Sequence, residues 1–185
     1  TQNFWIQNTG TLTSSSGTLT FDFQTPFTTA GATDQSVRVV IADFNETTPL
    51  AVVKNGPGGI NMYDQANTYS GGTLVNAGRI NVTSALALGI GPATVKSGGQ
   101  LYLAEANGFY ANNLAIEGTG PTEPEGNLGA VRFGNNTLTG TLTIAAGGAR
   151  MVAYQGAVGT IDGSIDGTGN LELNSPAVGH NGTFK

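Results

Sequence analysis

Between Lys54 and Leu103 the chain repeats itself at a nearly fixed spacing, and this periodicity constrains the fold more than anything else in the sequence. One segment runs Thr73-Leu74-Val75, Asn76-Ala77-Gly78, Arg79-Ile80-Asn81-Val82. The next runs Thr94-Val95, Lys96-Ser97-Gly98-Gly99, Gln100-Leu101-Tyr102-Leu103. Val75 and Val95 stand 20 positions apart, and Ile80 and Leu101 stand 21 apart. Extended backbone with this pattern places Leu74/Val75 and Ile80/Val82 on a packing face, while the glycine-bearing bends tolerate positive φ. A period of roughly 20 to 50 residues marks a repeat architecture. A single coil of such a repeat cannot bury its own inner face, so the coils must stack.

The same unit extends in both directions. Leu12 to Leu19, broken by Ser14-Ser15-Ser16-Gly17, opens the series, and Val37-Arg38-Val39-Val40-Ile41 and Leu50-Ala51-Val52-Val53 read as strands, with Arg38 facing out. Alternation resumes at Leu114-Ala115-Ile116 and runs through Leu128 to Leu173. Between them, residues 118–126 carry Pro121 and Pro124, which cannot serve a central ladder. That segment is expected to leave the shaft as a surface excursion, where a binding function is readily added. The fold expected for 1–185 is a single all-β domain, a parallel β-helix or solenoid.

The run Asn67-Thr68-Tyr69-Ser70-Gly71-Gly72-Thr73, followed by Val75-Asn76-Ala77-Gly78, Leu88-Gly89-Ile90-Gly91-Pro92 and Ser97-Gly98-Gly99, resembles the autotransporter-associated β-strand repeat of bacterial passenger domains. Residues 159–173 resemble its closing segment, with Asp162 and Asp166 where Ser is commoner; Arg79 stands where the family more often has Thr. The resemblance implies a right-handed β-helix at the cell surface or outside the cell, in proteins that are often very long. It implies no catalytic residue. His180-Asn181-Gly182-Thr183-Phe184-Lys185 corresponds in position to Gly58–Met62, so the chain is expected to be a segment, or a unit whose open end another copy completes. The expected partner is therefore a second copy, as a homo-oligomer or a head-to-tail polymer through the helix ends, since uncapped strand edges invite pairing.

Composition narrows the alternatives. Charged residues make up only 10%, glycines number 29, and the net charge is -5, which suits strands and turns rather than helices or a disordered polyelectrolyte. With no cysteine, neither a disulfide framework nor a thiolate metal site is available. Seven scattered basic residues and a pI near 4.6 give no support to nucleic-acid binding. No apolar run approaches the roughly 18 residues of a membrane span, so this segment is not expected to insert. Thr1 does not open a signal peptide, which fits a mature or excised piece.

Candidate chemistry is sparse, and neither a cofactor nor a catalytic group is expected. Asp162 and Asp166, four apart in extended backbone, share a face and offer oxygens of the kind Ca²⁺ takes; the competing reading is a pair of solvated Asp-Gly turns. Glu123 and Glu125 flank Pro124, with Glu117 nearby, and paired carboxylates hydrolyse glycosides when correctly spaced. His180, the only histidine, reads as part of a surface turn. Trp5, Tyr63, Tyr69, Tyr102 and Tyr110 are candidate contacts for a surface glycan, with Phe109 and Tyr154 beside them, each competing with a packing role. Asn76, Asn81, Asn112 and Asn113 are expected to stack along the turns and satisfy backbone amides.

Two functions remain. One is an extracellular structural solenoid, non-enzymatic, acting as an adhesin shaft, stalk or filament subunit. The other is a carbohydrate-binding or polysaccharide-cleaving β-helix.

Overall fold

The computed structural model describes residues 5–27, 34–63, 66–174 and 179–185. The chain winds through strands β1 (Trp5–Leu12) and β2 (Thr18–Asp22), then β3 (Gln35–Ile41) and β4 (Ala51–Asn55), then β5 (Gly59–Met62) and β6 (Thr73–Val75). It continues through β7 (Gly78–Val82), a single 3₁₀ turn at Ala85–Leu88, and β8 (Ala93–Val95). The next winding holds β9 (Gly99–Leu103), β10 (Phe109–Tyr110) and β11 (Leu114–Gly118), followed by a small hairpin of β12 (Thr122–Glu123) and β13 (Gly126–Asn127). The remainder comprises β14 (Val131–Phe133), β15 (Asn136–Leu138), β16 (Leu142–Ala153), β17 (Val158–Ile161), β18 (Ile165–Gly167), β19 (Leu171–Leu173) and β20 (Thr183–Phe184).

Every pairing among these strands is parallel except the β12–β13 hairpin. The first ladder runs β1-β3-β5-β7-β9-β14-β16, with β19 on its far side, and the second runs β2-β4-β6-β8-β11-β16, with β18 on its far side. The long strand β16 belongs to both, so the two ladders join into one 14-stranded sheet curled into a half-barrel. A third ladder, β10-β15-β17-β20, forms only from the fifth winding onward; one winding earlier, the 3₁₀ turn precedes the second-ladder strand β8. Successive strands of a ladder come from successive windings. The architecture is all-β and consistent with a parallel β-solenoid.

The sequence spacing becomes spatial register. Val75 lies opposite Val95, and Ile80 opposite Leu101. In the first ladder an inward column runs Ile60, Ile80, Leu101, Val131, Met151, and these residues are all fully buried. In the second ladder the inward column is Phe21, Lys54, Val75, Val95, Ile116, Ile144. Burying a Val, Leu or Ile side chain is worth roughly 1.5–3 kcal/mol each, so the stacked columns are the main favourable term. Leu74 does not share this face. With Thr73 and Val75 pointing inward, period-2 alternation sends Leu74 out beside Val53 and Thr94, correcting the pairing expected from the sequence.

Side-chain amides join successive windings, but of the four asparagines expected to satisfy backbone amides in turns only Asn113 accepts one, and Asn81 lies within β7. Asn76 Nδ2 donates to Asn55 Oδ1 one winding away (2.8 Å), and Asn81 Nδ2 to Asn61 Oδ1 (2.7 Å). Buried Asn112 donates to the carbonyls of Gly89 and Gly91, and Asn113 Oδ1 accepts the Thr141 amide. Asp43 ties two windings together by accepting from Leu50 N (2.6 Å), Ser70 N (2.9 Å) and Ser70 Oγ (2.7 Å). Gly78 (φ +71°) turns where a Cβ would collide with the Gly58 carbonyl oxygen, so only glycine fits.

Candidate functional site

The densest polar chemistry lies on the outer face of the first ladder, where β7, β9 and β14 place Arg79, Gln100, Tyr102 and Arg132 on neighbouring strands. Residues 118–126 do not project from the shaft as expected. They fold back over this face as a strap, closed by the β12–β13 hairpin and by the Gly129 N–H donating to Thr119 O (2.9 Å). Asn127 Nδ2 donates to Gly120 O (3.0 Å), and Arg150 Nη1 donates to Asn127 O (2.8 Å). The reason is electrostatic. The strap carries a carboxylate to a place where two guanidinium groups and an amide converge.

That carboxylate is Glu123, which is 8% exposed. Its Oε1 accepts from Gln100 Nε2 at 3.0 Å; its Oε2 lies 3.4 Å from Arg79 Nη1 and 3.5 Å from Arg132 Nη1. Gln100 is fully buried and also donates to Gly129 O (3.0 Å). Arg79 is shared with Asp34 Oδ2 (2.9 Å) and stacks over Phe27 at 4.1 Å. Glu123 thus clamps three successive windings from outside. Glu125, by contrast, is exposed in the turn of the hairpin, so the two carboxylates occupy unlike environments.

Arg132 continues the array along the shaft. Its guanidinium carbon lies 4.2 Å from the centre of the Tyr154 ring and 5.0 Å from that of Tyr102. His180 packs on Tyr154 (4.9 Å between centroids), and its Nε2 is 2.7 Å from Arg132 Nη2. The guanidinium has only donors, so this bond requires Nε2 to accept. His180 is therefore not the surface turn expected from its Gly/Asn neighbours; it is 5% exposed and part of a stacked cation–aromatic group. Burial pushes the Tyr102 phenol up, assisted by Tyr154 and opposed by Arg132 and Arg79.

The other candidates are dispersed. Tyr69 and Tyr110 are fully buried, so neither ring offers a face to a glycan; they are core residues, and that expectation is corrected for both. Tyr69 shares a hydrogen bond with Thr73 Oγ1 (2.7 Å), Tyr110 donates to Val82 O (3.3 Å), and desolvation raises both phenols well above their ordinary value. Tyr63 is half-buried with Arg38 stacked at 3.8 Å. The side chain of Trp5 lies outside the described residues. Phe109 is 69% exposed and borders a groove of about 340 Å³ lined by Asn107, Asn135, Thr137, Thr160 and Lys185.

Asp162 and Asp166 are both exposed, but Asp162 follows β17 in the bend at Gly163-Ser164 whereas Asp166 lies within β18. The chain turns between them, so the one-face argument for extended backbone does not apply. Among the described residues no group of three or more His, Asp or Glu side chains is placed to hold a metal ion, and no helix is long and apolar enough to cross a membrane.

Sequence reasoning missed Lys54. It occupies an inward position between Phe21 and Val75, fully buried, and its ammonium donates to the carbonyls of Asn55 (2.6 Å), Gly56 (2.7 Å) and Ala77 (3.2 Å). Burial pushes its pKa down to about 8 against the pull of Asp22 and Asp34. The available signal was its place in the alternation: Val52 and Lys54 share a face, and Val52 is apolar. Compared with protein-family models, with curated proteins and with solved structures, the chain has no match.

Proposed function

We propose that this chain is a structural β-solenoid, a right-handed parallel β-helix of the autotransporter-associated repeat kind, working outside the cell as an adhesin shaft, stalk or filament subunit. The observation that carries this reading is the unbroken register of inward residues from winding to winding. Such a stack converts chain into length at about 4.8 Å per winding, so the eight strands of the first ladder span roughly 35 Å. Right-handedness is supported by the strong preference of parallel crossover connections for that hand. The extracellular address and the family rest on the sequence resemblance, and the reading includes no catalytic step.

Assembly through the ends is supported by what the last windings expose. Ile165 continues the buried column of Leu142, and Leu173 that of Met151, yet they are 54% and 48% exposed. A further winding, from a longer parent or a second copy, would cover them and pair the edges of β18 and β19. Electron microscopy of purified protein tests this. Fibres with an axial repeat equal to the unit length are expected, and Ile165→Lys with Leu173→Lys should leave short isolated rods. Wild-type rods that never associate at any concentration would overturn self-assembly.

A second reading, a carbohydrate-binding or polysaccharide-cleaving β-helix, is favoured by exposed Phe109 beside its amide- and hydroxyl-lined groove. A glycan array with a polysaccharide-release assay separates the two. Turnover abolished by Glu123→Gln or Glu125→Gln would replace the scaffold reading.

A further inference from the structure

We infer that the outer face of the first ladder holds a binding site for a sugar acid, a carboxylate flanked by hydroxyl groups, and that Glu123 of the strap is its internal occupant. This goes beyond a scaffold role and does not depend on it, since a shaft without the site would still be a shaft. The internal occupant identifies the charge that the site takes. Arg79, Arg132 and Gln100 come from three windings and each point a donor at one carboxylate, with Gln100 0% and Arg132 5% exposed, while Arg79 Nη2 also pairs with Asp34 Oδ2 at 2.9 Å and Arg132 Nη2 with His180 Nε2 at 2.7 Å.

Glu123 fills this site incompletely. Its two guanidinium contacts, at 3.4 and 3.5 Å, are long against the roughly 2.7–2.9 Å of a well-made charged pair. Three buried polar atoms around it have no hydrogen-bond partner: Arg79 Nε, Arg132 Nε and Gln100 Oε1. A buried polar atom without a partner costs free energy that a fitting ligand recovers. The missing partners specify chemistry. The two Nε–H groups want acceptors, whereas Gln100 Oε1 wants a donor, which a bare carboxylate cannot supply and a hydroxyl can. A uronic acid presents both within one residue. An acidic side chain presents only the first and leaves the donor to its backbone N–H, so an acidic peptide is the competing ligand that the test must exclude.

The strap is built to exchange. It is a short hairpin between Pro121 and Gly129, turning at Gly126 with φ +104°, and it places one carboxylate in the site. A ligand carboxylate takes the same two guanidinium groups, and the hairpin tip swings off the face with Glu123 into solvent while Arg150–Asn127 O and Gln100–Gly129 O hold its base. No bond is made or broken; one ion pair replaces another.

The test has two arms. In the first, Glu123→Ala empties the site, and 100 mM acetate should raise its melting temperature above that in 100 mM chloride by roughly 3 °C while leaving wild type unmoved. In the second, Glu123→Gln keeps the side-chain shape but loses the competing charge, so calorimetry should show oligogalacturonate binding it at least tenfold more tightly than it binds wild type. A neutral galactose oligomer should not bind, and adding Arg132→Met should remove the uronate signal. Because Glu123→Gln is nearly isosteric, the second arm stands if Glu123→Ala does not fold. Equal uronate affinity for wild type and Glu123→Gln would overturn the site, and preferential binding of oligoglutamate would overturn its assignment to sugar.

Discussion

Raising the pH from 8 to 10 should stabilise the wild-type protein, and replacing Lys54 with methionine should remove most of that gain. Lys54 has a pKa of about 8 in the folded chain because its ammonium is desolvated within the column of Phe21, Val75 and Val95. In the unfolded chain the same group titrates near 10.4. Between these values the unfolded state binds a proton that the native state has released, so stability rises with pH. A tenfold difference in proton affinity between the two states is worth about 1.4 kcal/mol, which gives about 2 kcal/mol across pH 8 to 10. The window ends there because Tyr69 and Tyr110, whose phenols are raised by burial, act oppositely: above about pH 10 the unfolded tyrosines ionise first and stability falls. Urea unfolding followed by far-ultraviolet circular dichroism at pH 8, 9 and 10 measures the slope for each protein. Lys54→Met also leaves the carbonyls of Asn55, Gly56 and Ala77 without their donor, so it starts less stable. The comparison is between slopes, not offsets. Equal slopes for wild type and Lys54→Met would refute the argument that Lys54 is buried as a strained charge.

Four further outcomes are expected. Leu101→Ala, which empties the middle of an inward column, should cost about 2–5 kcal/mol in urea unfolding, whereas Leu74→Ala on the outer face should cost far less. Gly78→Ala should cost at least about 2 kcal/mol, because φ +71° and the Gly58 carbonyl both oppose a Cβ; no loss would mean that the bend relaxes freely. Asp43 is held below the usual carboxylate range chiefly by the Leu50 amide, with Ser70 N–H and Oγ–H adding to it, so its contribution is present above about pH 4 and lost as the pH falls through its lowered value. Acid unfolding of Asp43→Asn should therefore show a shallower limb than wild type. Tyr110→Phe, losing one buried bond to Val82 O, should cost about 1 kcal/mol and leave circular dichroism unchanged.

The repeat was legible because its period and its glycines are local properties of the chain. Spacings of 20 and 21 between Val75 and Val95 and between Ile80 and Leu101 translate directly into ladder partners. The contacts of Asn76 with Asn55 and of Asn81 with Asn61 follow from the same repetition, which stacks like positions of successive windings. Neighbours in sequence are not always neighbours in space. Leu74 next to Val75 must face the other way, and Asp162 and Asp166 are parted by a corner.

The strap was illegible for a different reason. Two prolines and two glutamates describe a loop equally well whether it projects or folds back, and the choice is made by groups far away in the chain. Arg79 lies 44 residues from Glu123, Gln100 23 and Arg132 nine, and only winding brings them to one place. His180 likewise finds Arg132 across 48 residues. By itself the amino-acid order determined the all-β class, the winding period and the inward aliphatic columns, because alternation and turn chemistry act over a few bonds. Which tyrosines are buried, where Lys54 finds its carbonyls and which carboxylate meets two arginines were decided by tertiary structure, because desolvation and ion pairing depend on distances through space.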